Sequence, residues 1–310
     1  MKSELWAITT YFNPCGYKTR RQNYDRFLAG LAAQGVPCMT IECAFGEEPF
    51  ELEPNERIVQ IRSESLMWQK ERLLNLAAAA LPPECKYVAW IDADVLFKNE
   101  YWPQMTAILL ETNAVVQLFS SCDRLDQRGN SVGDTAISFG AIAPEHPETV
   151  CCGRYDMHGH TGYAWAMRRE IFDKVGLYEH SVVGSSDHFM AHVIYNTYGF
   201  CIENALKSDS AQIAHLREWG QRFYAEVQGK FAVVPGKIVH LWHGDLKNRR
   251  YFLRMHDITD LGFDPFTDVE ARPGKPLSWT NTGLQKPGLA AYFSKYFAAR
   301  QEDGEFVGSA

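Results

Sequence analysis

A run of five apolar residues that ends in two aspartates constrains the fold of this chain more than any other stretch. Tyr87–Ile91 reads Tyr-Val-Ala-Trp-Ile, and Asp92-Ala93-Asp94 follows it directly. A strand that is apolar at every position is typical of a parallel sheet covered on both faces. Open sheets of this kind bind ligands beyond the carboxyl ends of their strands. Two carboxylates at such an end therefore predict a binding site there.

The rest of the sequence predicts an α/β domain, because apolar runs alternate with amphipathic stretches. From about residue 245 the chain is charged, aromatic and rich in Pro and Gly. This composition predicts two parts: a domain over 1–245, and an extension over 246–310 that packs on the core and ends in a frayed tail from 301 to 310. We expect strands at 5–11, 38–44, 58–61, 87–91, 114–120, 136–143, 163–167 and 237–242, and helices at 21–34, 66–81, 169–175 and 187–198.

Composition narrows the class of protein. The chain has 310 residues, and 31 Lys+Arg against 38 Asp+Glu give a net charge of −7, which excludes an overall basic field for nucleic acid but leaves a local patch open. None of the eight cysteines forms a Cys-x-x-Cys pair, so we expect reduced thiols and no zinc site built from cysteine. The sequence shows no signal peptide and no apolar run long enough for a membrane span, which predicts a soluble, cytoplasmic protein.

The aspartate pair itself predicts a metal site. Two carboxylates one residue apart in an extended segment point to the same side, where they repel each other. A divalent cation removes this repulsion and prefers oxygen ligands, so we expect Asp92 and Asp94 to bind one. Such an ion would neutralise the charge of a leaving nucleoside diphosphate. The alternative is that Asp94 caps a turn and Asp92 pairs with a surface arginine.

A second candidate site residue is Asp187, in the segment Gly184-Ser185-Ser186-Asp187 before an apolar helix. At a helix N-terminus the dipole favours the anionic carboxylate, and an anionic carboxylate in a cleft can accept a proton from an attacking hydroxyl. A plain helix cap explains the same pattern, since Ser-Ser-Asp is a good capping sequence.

A third signal is the stretch from 238 to 254, which reads IVHLWHGDLKNRRYFLR. His240 and His243 follow an apolar run, and two imidazoles with two carboxylates suit Mn²⁺ better than Ca²⁺. The lysine and arginines that follow could meet phosphate oxygens. A buried core histidine beside a solvated basic turn is the alternative. We interpret His158 and His160 as free loop histidines rather than parts of a mobile lid, and Trp165 as a core residue rather than a floor for a sugar ring.

Taken in this order, the three signals resemble those of the GT-A glycosyltransferases, which are metal-dependent enzymes that use nucleotide-sugar donors. The resemblance covers about residues 5–250. Asp92-Ala93-Asp94 is similar to the family's Asp-x-Asp motif, and residues 162–187 look like a region shared by β-1,4-galactosyltransferases and polypeptide N-acetylgalactosaminyltransferases. Residues 243–248 are similar to the galactosyltransferase stretch whose histidine binds the metal, and His240 holds the place of that family's second ligand.

The resemblance implies a fold, a donor and a reaction. The implied fold is α/β and Rossmann-like, with a mixed, mostly parallel sheet between helices and a helical C-terminal extension. The implied reaction moves a sugar from a nucleotide-sugar, with UDP as the nucleotide, to an acceptor hydroxyl with inversion. Asp187 would be the catalytic residue, as base, as acceptor-orienting group or both, although the galactosyltransferases have Gly-Gly-Glu-Asp where this chain has Gly-Ser-Ser-Asp. The implied metal is Mn²⁺ or Mg²⁺ on Asp92, Asp94, His240 and His243, and the implied donor contacts are Thr10, Tyr11, Phe12, Arg72, Asn75, Asp92 and Lys247.

Other functions compete with this one. The acceptor is expected to be a glycan or another cellular hydroxyl, but a hydroxymethylated base in DNA stays open, because Lys247, Arg249, Arg250 and Arg254 form a local basic strip. A phosphohydrolase of the haloacid dehalogenase type also places Asp-x-Asp at a strand end. Its nucleophilic Asp normally lies on the first strand, whereas about ninety residues precede the motif here. A third alternative is a non-catalytic protein that binds nucleotide-sugars on the same fold.

Overall fold

The computed structural model describes residues 3–154, 156–251 and 253–304. Strands and helices alternate through the first half of these residues, and helices dominate the second half. The strands of the described residues are Leu5–Tyr11 (β1), Cys38–Phe45 (β2), Ile58–Ser63 (β3), Tyr87–Ile91 (β4), Val95–Phe97 (β5), Val115–Gln117 (β6), Ser121–Leu125 (β7), Ser131–Ile137 (β8), Ala164–Arg168 (β9), Phe231–Val233 (β10), Lys237–His240 (β11), Val269–Ala271 (β12) and Leu277–Trp279 (β13).

The helices vary from single turns to seventeen residues. A short 3₁₀ helix, Leu246–Arg249, separates the first nine from the last three. The α-helices of the described residues are Lys18–Ala33 (α1), Lys70–Ala79 (α2), Trp102–Thr112 (α3), Phe139–Ile142 (α4), Glu148–Cys151 (α5), Arg169–Val175 (α6), Ser186–Ile194 (α7), Gly199–Leu206 (α8), Ala211–Val227 (α9), Leu253–Asp260 (α10), Asn281–Gln285 (α11) and Leu289–Ala298 (α12).

A seven-stranded sheet forms the centre of the molecule, in the order β3-β2-β1-β4-β9-β6-β10. Strands β1 to β4 are mutually parallel, β6 is parallel to β10, and β9 runs antiparallel to both of its neighbours. Val88, Ala89, Trp90 and Ile91 of β4 are all buried, as expected for a strand covered on both faces. The predicted fold class, a mixed and mostly parallel sheet between helices, is confirmed.

A second, four-stranded sheet in the order β5-β11-β7-β8 places β11 near the end of β4. In it β11 pairs antiparallel with β5, and this register sets His240 opposite Val95. The backbone amide of Leu241 also donates a hydrogen bond to the carbonyl of Asp94, at 2.8 Å. Because β5 begins directly after the aspartate pair, this pairing brings the histidine segment beside Asp94.

Two predicted elements differ from the structure, in each case because a serine side chain has another partner. The helix expected from 66 begins only at Lys70, since the Ser65 hydroxyl accepts a hydrogen bond from the backbone of Trp279 instead of capping a helix. The strand expected over 136–143 stops at Ile137, because the Ser138 hydroxyl accepts a hydrogen bond from the Ala141 amide and starts α4. The helices α3, α8 and α9 are among the elements that were not predicted, and the helix predicted over 187–198 is Ser186–Ile194.

The C-terminal segment packs against the large hydrophobic core through buried side chains such as Ile258, Leu277 and Phe293. The tail predicted to fray from 301 is instead held in place over 301–304, because Glu302 is fully buried among arginines. The last part of that prediction, 305–310, lies outside the described residues. In the described part of the chain no helix combines the length and the apolar character needed to cross a bilayer.

Candidate active site

A cleft opens where β1 and β4 of the central sheet end, the position that the apolar strand and its aspartates predicted. It is formed by the β1 end, the turn after β4, the loop before β9, the N-termini of α2 and α7, and the segment after β11. The cleft brings together most of the predicted site residues: Thr10, Tyr11, Phe12, Asp92, Asp94, Asp187, His240 and His243.

Asp94, His240 and His243 form one compact group in this cleft. Their ligand atoms all lie within 4.8 Å of one another. Nε2 of His243 is 3.0 Å from Nε2 of His240 and 3.1 Å from Oδ2 of Asp94, and Nε2 of His240 is 3.6 Å from Oδ1 of Asp94. Burial, and then the neighbouring Asp92, raise the pKa of Asp94 to about 7. Two imidazole nitrogens and one carboxylate at these separations can hold one divalent transition-metal ion.

Asp92 lies in the same cleft but faces a different partner. Nζ of Lys70, the first residue of α2, is 2.6 Å from Oδ1 of Asp92 and 3.0 Å from Oδ2 of Asp187. This lysine contacts both carboxylates, and Asp92 lies outside the group of Asp94 and the two histidines. Asp92, predicted as a metal ligand and as a donor contact, therefore lines the cleft with its carboxylate on Lys70.

Asp187 occupies the first turn of α7, where its carboxylate gains from the helix dipole. The turn before it is tight, since Gly184 and Ser185 both have positive φ angles, 86° and 77°. Burial raises the pKa of Asp187, and Lys70 opposes this rise. Burial alone would lower the pKa of Lys70, but Asp187 and Asp92 raise it well above its ordinary value. The three groups thus form a partly buried ion-pair network that holds one positive charge between two carboxylates.

Three predicted donor contacts lie away from the cleft. Arg72 binds Glu179 at 3.1 Å and the backbone carbonyl of Lys275 at 2.8 Å, so it joins α2 to the C-terminal segment. The Asn75 amide exchanges two hydrogen bonds with the backbone of Leu177, at 3.0 and 2.8 Å. Both side chains pack within the protein, and the residues of α2 that line the cleft are its first two, Lys70 and Glu71.

Lys247 is the third of these predicted contacts. It lies in the short 3₁₀ helix with its side chain 66% exposed and its Nζ 3.5 Å from Asp245. The same helix turns Arg249 inward instead, where it is 3% exposed and lines the cleft. The predicted basic strip is therefore divided, since Lys247 faces solvent and Arg249 lines the cleft.

A cluster of arginines around Glu302 is the part of the cleft that the sequence did not reveal. Arg20, Arg249 and Arg300 contact this carboxylate at 2.7, 3.0 and 2.6 Å. Burial would raise the pKa of Glu302, but the arginines outweigh it and hold the pKa well below the usual range. Arg249 also contacts the ring and the carbonyl of His243, which links the arginine cluster to the group of Asp94, His240 and His243. Three cations for one anion leave this wall of the cleft positive.

Two loop residues and one strand residue complete the comparison with the sequence. Trp165 is fully buried in β9, so its prediction as a core residue is confirmed. His158 is only 1% exposed, and His160 stacks on Tyr163 with ring centroids 4.0 Å apart. The prediction that both are free loop histidines is wrong, because the loop is folded against the protein.

Comparisons with known proteins give structural neighbours only. No family model matches the chain, and no curated protein matches it. Similar solved structures include the catalytic domain of Drosophila β1,4-galactosyltransferase 7, which has 13% identity and a TM-score of 0.34, and which was also solved with manganese, UDP-Gal and xylobiose. Another is a glycosyltransferase involved in glycosylation of the major capsid of PBCV-1, with 11% identity over 82% of this chain and 98% of that one and a TM-score of 0.32.

The 4-diphosphocytidyl-2C-methyl-D-erythritol synthase of Anaerococcus prevotii is a further neighbour, with 12% identity over 75% of this chain and 86% of that one and a TM-score of 0.33. The match with the galactosyltransferase covers 61% of this chain and 60% of that chain. The three neighbours named here are two glycosyltransferases and a synthase. Overlaps of this size say nothing about the activity of the chain, so its function is argued below from the site.

Proposed function

We propose that the chain is a metal-dependent glycosyltransferase that moves a sugar from a nucleotide-sugar to an acceptor hydroxyl. The observation that carries this proposal is the convergence of Asp94, His240 and His243 with Asp187 in a single cleft at the strand ends. The first three offer ligands for one ion, and the fourth offers a carboxylate that can take a proton. A metal-assisted displacement needs both a bound ion and a group that accepts the proton of the attacking hydroxyl.

The residues of the first group fit a resident Mn²⁺ or a similar ion. Nε2 atoms of two histidines lie 3.0 Å apart beside a carboxylate whose pKa burial raises to about 7. A divalent cation would remove both costs, because it binds imidazole lone pairs and favours the ionised carboxylate. When bound, such an ion supplies charge neutralisation to the diphosphate of the donor. Asp94, His240 and His243 would hold it.

The arginines around Glu302 favour an anionic donor. Arg20, Arg249 and Arg300 line the same cleft as Asp94, His240 and His243, and guanidinium groups bind phosphate oxygens through paired hydrogen bonds. Thr10, Tyr11 and Phe12 at the end of β1 line the same cleft and would face the nucleoside. UDP is proposed as the nucleotide on the resemblance alone.

Asp187 is proposed as the general base. In this step the acceptor oxygen forms a bond to the anomeric carbon, its proton passes to the Asp187 carboxylate, and the bond from the anomeric carbon to the diphosphate breaks. The nucleoside diphosphate leaves with the bonding electrons, and the configuration at the sugar inverts. Lys70 holds Asp187 and Asp92 in place by contacts of 3.0 and 2.6 Å, and its charge favours the anionic form of Asp187 that a base requires.

Turnover of a donor panel tests the proposal. Purified protein with Mn²⁺ is given UDP-, GDP-, ADP-, CDP- and dTDP-sugars together with glycan acceptors, and release of nucleoside diphosphate is measured. We expect release of nucleoside diphosphate from sugars of one nucleotide class, and this release should require both the metal and the acceptor. Release of inorganic phosphate from phosphomonoesters would favour the phosphohydrolase, and tight donor binding with no turnover on any acceptor would favour the non-catalytic binding protein.

The acceptor is proposed to be a glycan or another cellular hydroxyl. The basic strip that kept modified DNA open is divided, since Lys247 and Arg250 face outward while Arg249 and Arg254 are buried. Transfer to hydroxymethylated DNA would fall steeply as salt rises, because phosphate contacts release counterions. A flat salt response with a saccharide acceptor supports the glycan.

A further inference from the structure

Four buried side chains meet in a second cluster that the glycosyltransferase mechanism does not use. His158, His188, His192 and Cys201 are 1%, 4%, 0% and 3% exposed. Each offers one potential metal-ligand atom, and these atoms all lie within 4.8 Å of one another. The cluster shares no ligand residue with the group of Asp94, His240 and His243.

The distances from the Cys201 sulfur to the three rings are close to those of a tetrahedral metal site. The Cys201 sulfur lies 3.1 Å from Nε2 of His192, 3.3 Å from Nε2 of His188 and 3.8 Å from Nε2 of His158. Zinc binds imidazole nitrogen at about 2.0–2.1 Å and thiolate sulfur at about 2.3 Å, so tetrahedral ligands are about 3.3–3.6 Å apart. The observed separations of 3.1–3.8 Å lie on both sides of this range, so a shared zinc ion would require shifts of only a few tenths of an ångström.

The local structure explains how the four side chains come together. His188 and His192 are four residues apart on α7, so their side chains lie on one face of the helix. Cys201 comes from the first turn of α8, and Gly199 lets that turn approach closely. A Cβ at Gly199 would lie 2.6 Å from the His192 ring and 2.5 Å from the carbonyl of Val150, which no larger residue would tolerate. His158 enters from the loop before β9.

A hydrogen bond on the far side of the ring orients His158 toward the cluster. Nδ1 of His158 lies 3.0 Å from the carbonyl of Gly159 and donates to it, which leaves the lone pair of the ring on Nε2, facing the Cys201 sulfur. A divalent cation bound among these ring nitrogens would stabilise the Cys201 sulfur as the thiolate.

We infer that His158, His188, His192 and Cys201 form a closed structural zinc site. Three histidines and one cysteine are typical zinc ligands, and four protein ligands leave no open position for substrate. The hydrogen bond from His158 to the carbonyl of Gly159 is the kind of second contact that orients a zinc-bound histidine. The ion would cross-link α7, α8 and the loop before β9. The cross-link begins one residue after Asp187, so it would also fix the helix that carries the proposed base.

Metal analysis of the full-length protein tests this inference. Protein purified without added metal is dialysed against EDTA, and its zinc is measured by mass spectrometry. We expect about one zinc per chain that resists dialysis, because a closed four-ligand site holds zinc tightly. Asp94→Asn should keep this zinc, since the two clusters share no ligand residue. Zinc that is absent from the wild-type protein, both as purified and after refolding with zinc, would overturn the inference.

Cobalt substitution separates this site from the other one without any activity assay. Wild-type protein refolded with Co²⁺ should show the visible absorption of tetrahedral cobalt and a thiolate-to-cobalt charge-transfer band. Cys201→Ser should lose the charge-transfer band, while Cys85→Ser, at an equally buried cysteine outside the cluster, should keep it. If Cys201→Ser does not fold, the zinc content and the cobalt spectrum of the wild-type protein still show whether the zinc site exists. A wild-type cobalt spectrum without a thiolate band rules the site out.

Discussion

Individual carboxylates in this cleft take different partners although they are close in the sequence. Asp94 faces two histidines, whereas Asp92, two residues earlier, faces Lys70. The sequence predicted both aspartates as metal ligands, because the alternation of an extended segment places them on one side. It could not show that Lys70, from another element, would take Asp92.

Asp187→Asn tests the proposed base at the residue scale. The amide keeps the size of the side chain but accepts no proton, so we expect kcat to fall by about 10²–10⁴-fold with little change in donor affinity. Initial rates of nucleoside diphosphate release and donor titrations measure the two quantities. The control is Asp209→Asn at an exposed position, which should leave both unchanged. Wild-type kcat in Asp187→Asn would remove this residue from the mechanism.

At the scale of elements, the end of β4 and the late strand β11 were predictable, and their meeting was not. The apolar run of β4 and the aspartates after it indicate a site directly. Strand β11 reaches Asp94 only because it pairs with β5, three residues that carry little signal of their own. The helix α2 was predicted to contact the donor through Arg72 and Asn75, whereas its residues that line the cleft are Lys70 and Glu71.

Asn75→Ala tests that correction. The amide holds the backbone of Leu177 through two hydrogen bonds, and their loss leaves partly buried groups without partners. We expect unfolding free energy to fall by about 1–3 kcal/mol, because unsatisfied polar groups are costly. Donor affinity should not change, since the side chain lies outside the cleft. Weakened donor binding in a normally folded Asn75→Ala protein would restore the original prediction.

Coupling between α2 and α7 is testable by a double-mutant cycle on Lys70 and Asp187. The two side chains are only 12% and 17% exposed and 3.0 Å apart, so Lys70→Met and Asp187→Asn should be non-additive. We expect an interaction energy of about 0.5–3 kcal/mol in denaturant unfolding. Lys86→Met, at an exposed ion pair with Glu4, provides the matched cycle with Asp187→Asn and should be additive. Additivity in both cycles would contradict the ion-pair network.

At the scale of the whole molecule, the C-terminal segment completes the cleft. Glu302 is separated by 282 residues from Arg20 and by 53 from Arg249, and it joins both to Arg300. No spacing rule connects positions so far apart, so the composition of this segment predicted a frayed tail. The buried cluster of three histidines and Cys201 escaped prediction for the same reason, since its members come from a loop and two separate helices.

Glu302→Gln should destabilise the protein strongly. Removing the charge leaves three buried or half-buried arginines without their anion, which costs about 3–5 kcal/mol of unfolding free energy. Because the folded-state pKa of Glu302 is lowered, its contribution is fully present above the unfolded-state pKa of about 4.3 and is lost as pH falls through the folded-state pKa. Denaturant unfolding of both proteins across pH measures the difference.

The matched control for that experiment is Glu111→Gln, an exposed glutamate on α3, which should change stability little at any pH. A difference between wild type and Glu302→Gln that stays constant down to strongly acidic pH would contradict a charged role for Glu302.

The most direct test of the central claim is thermal unfolding with metal and nucleotide in combination. Protein is melted alone, with Mn²⁺ or Mg²⁺, with each nucleoside diphosphate, and with each pair. A ligand at a hundred times its dissociation constant stabilises the folded state by about 2.7 kcal/mol, which is a measurable shift. We expect one nucleoside diphosphate to raise the melting temperature only when the metal is present, and we expect this rise to disappear in Asp94→Asn. No shift with any pair, or an undiminished shift in Asp94→Asn, would contradict a metal–nucleotide site at Asp94, His240 and His243.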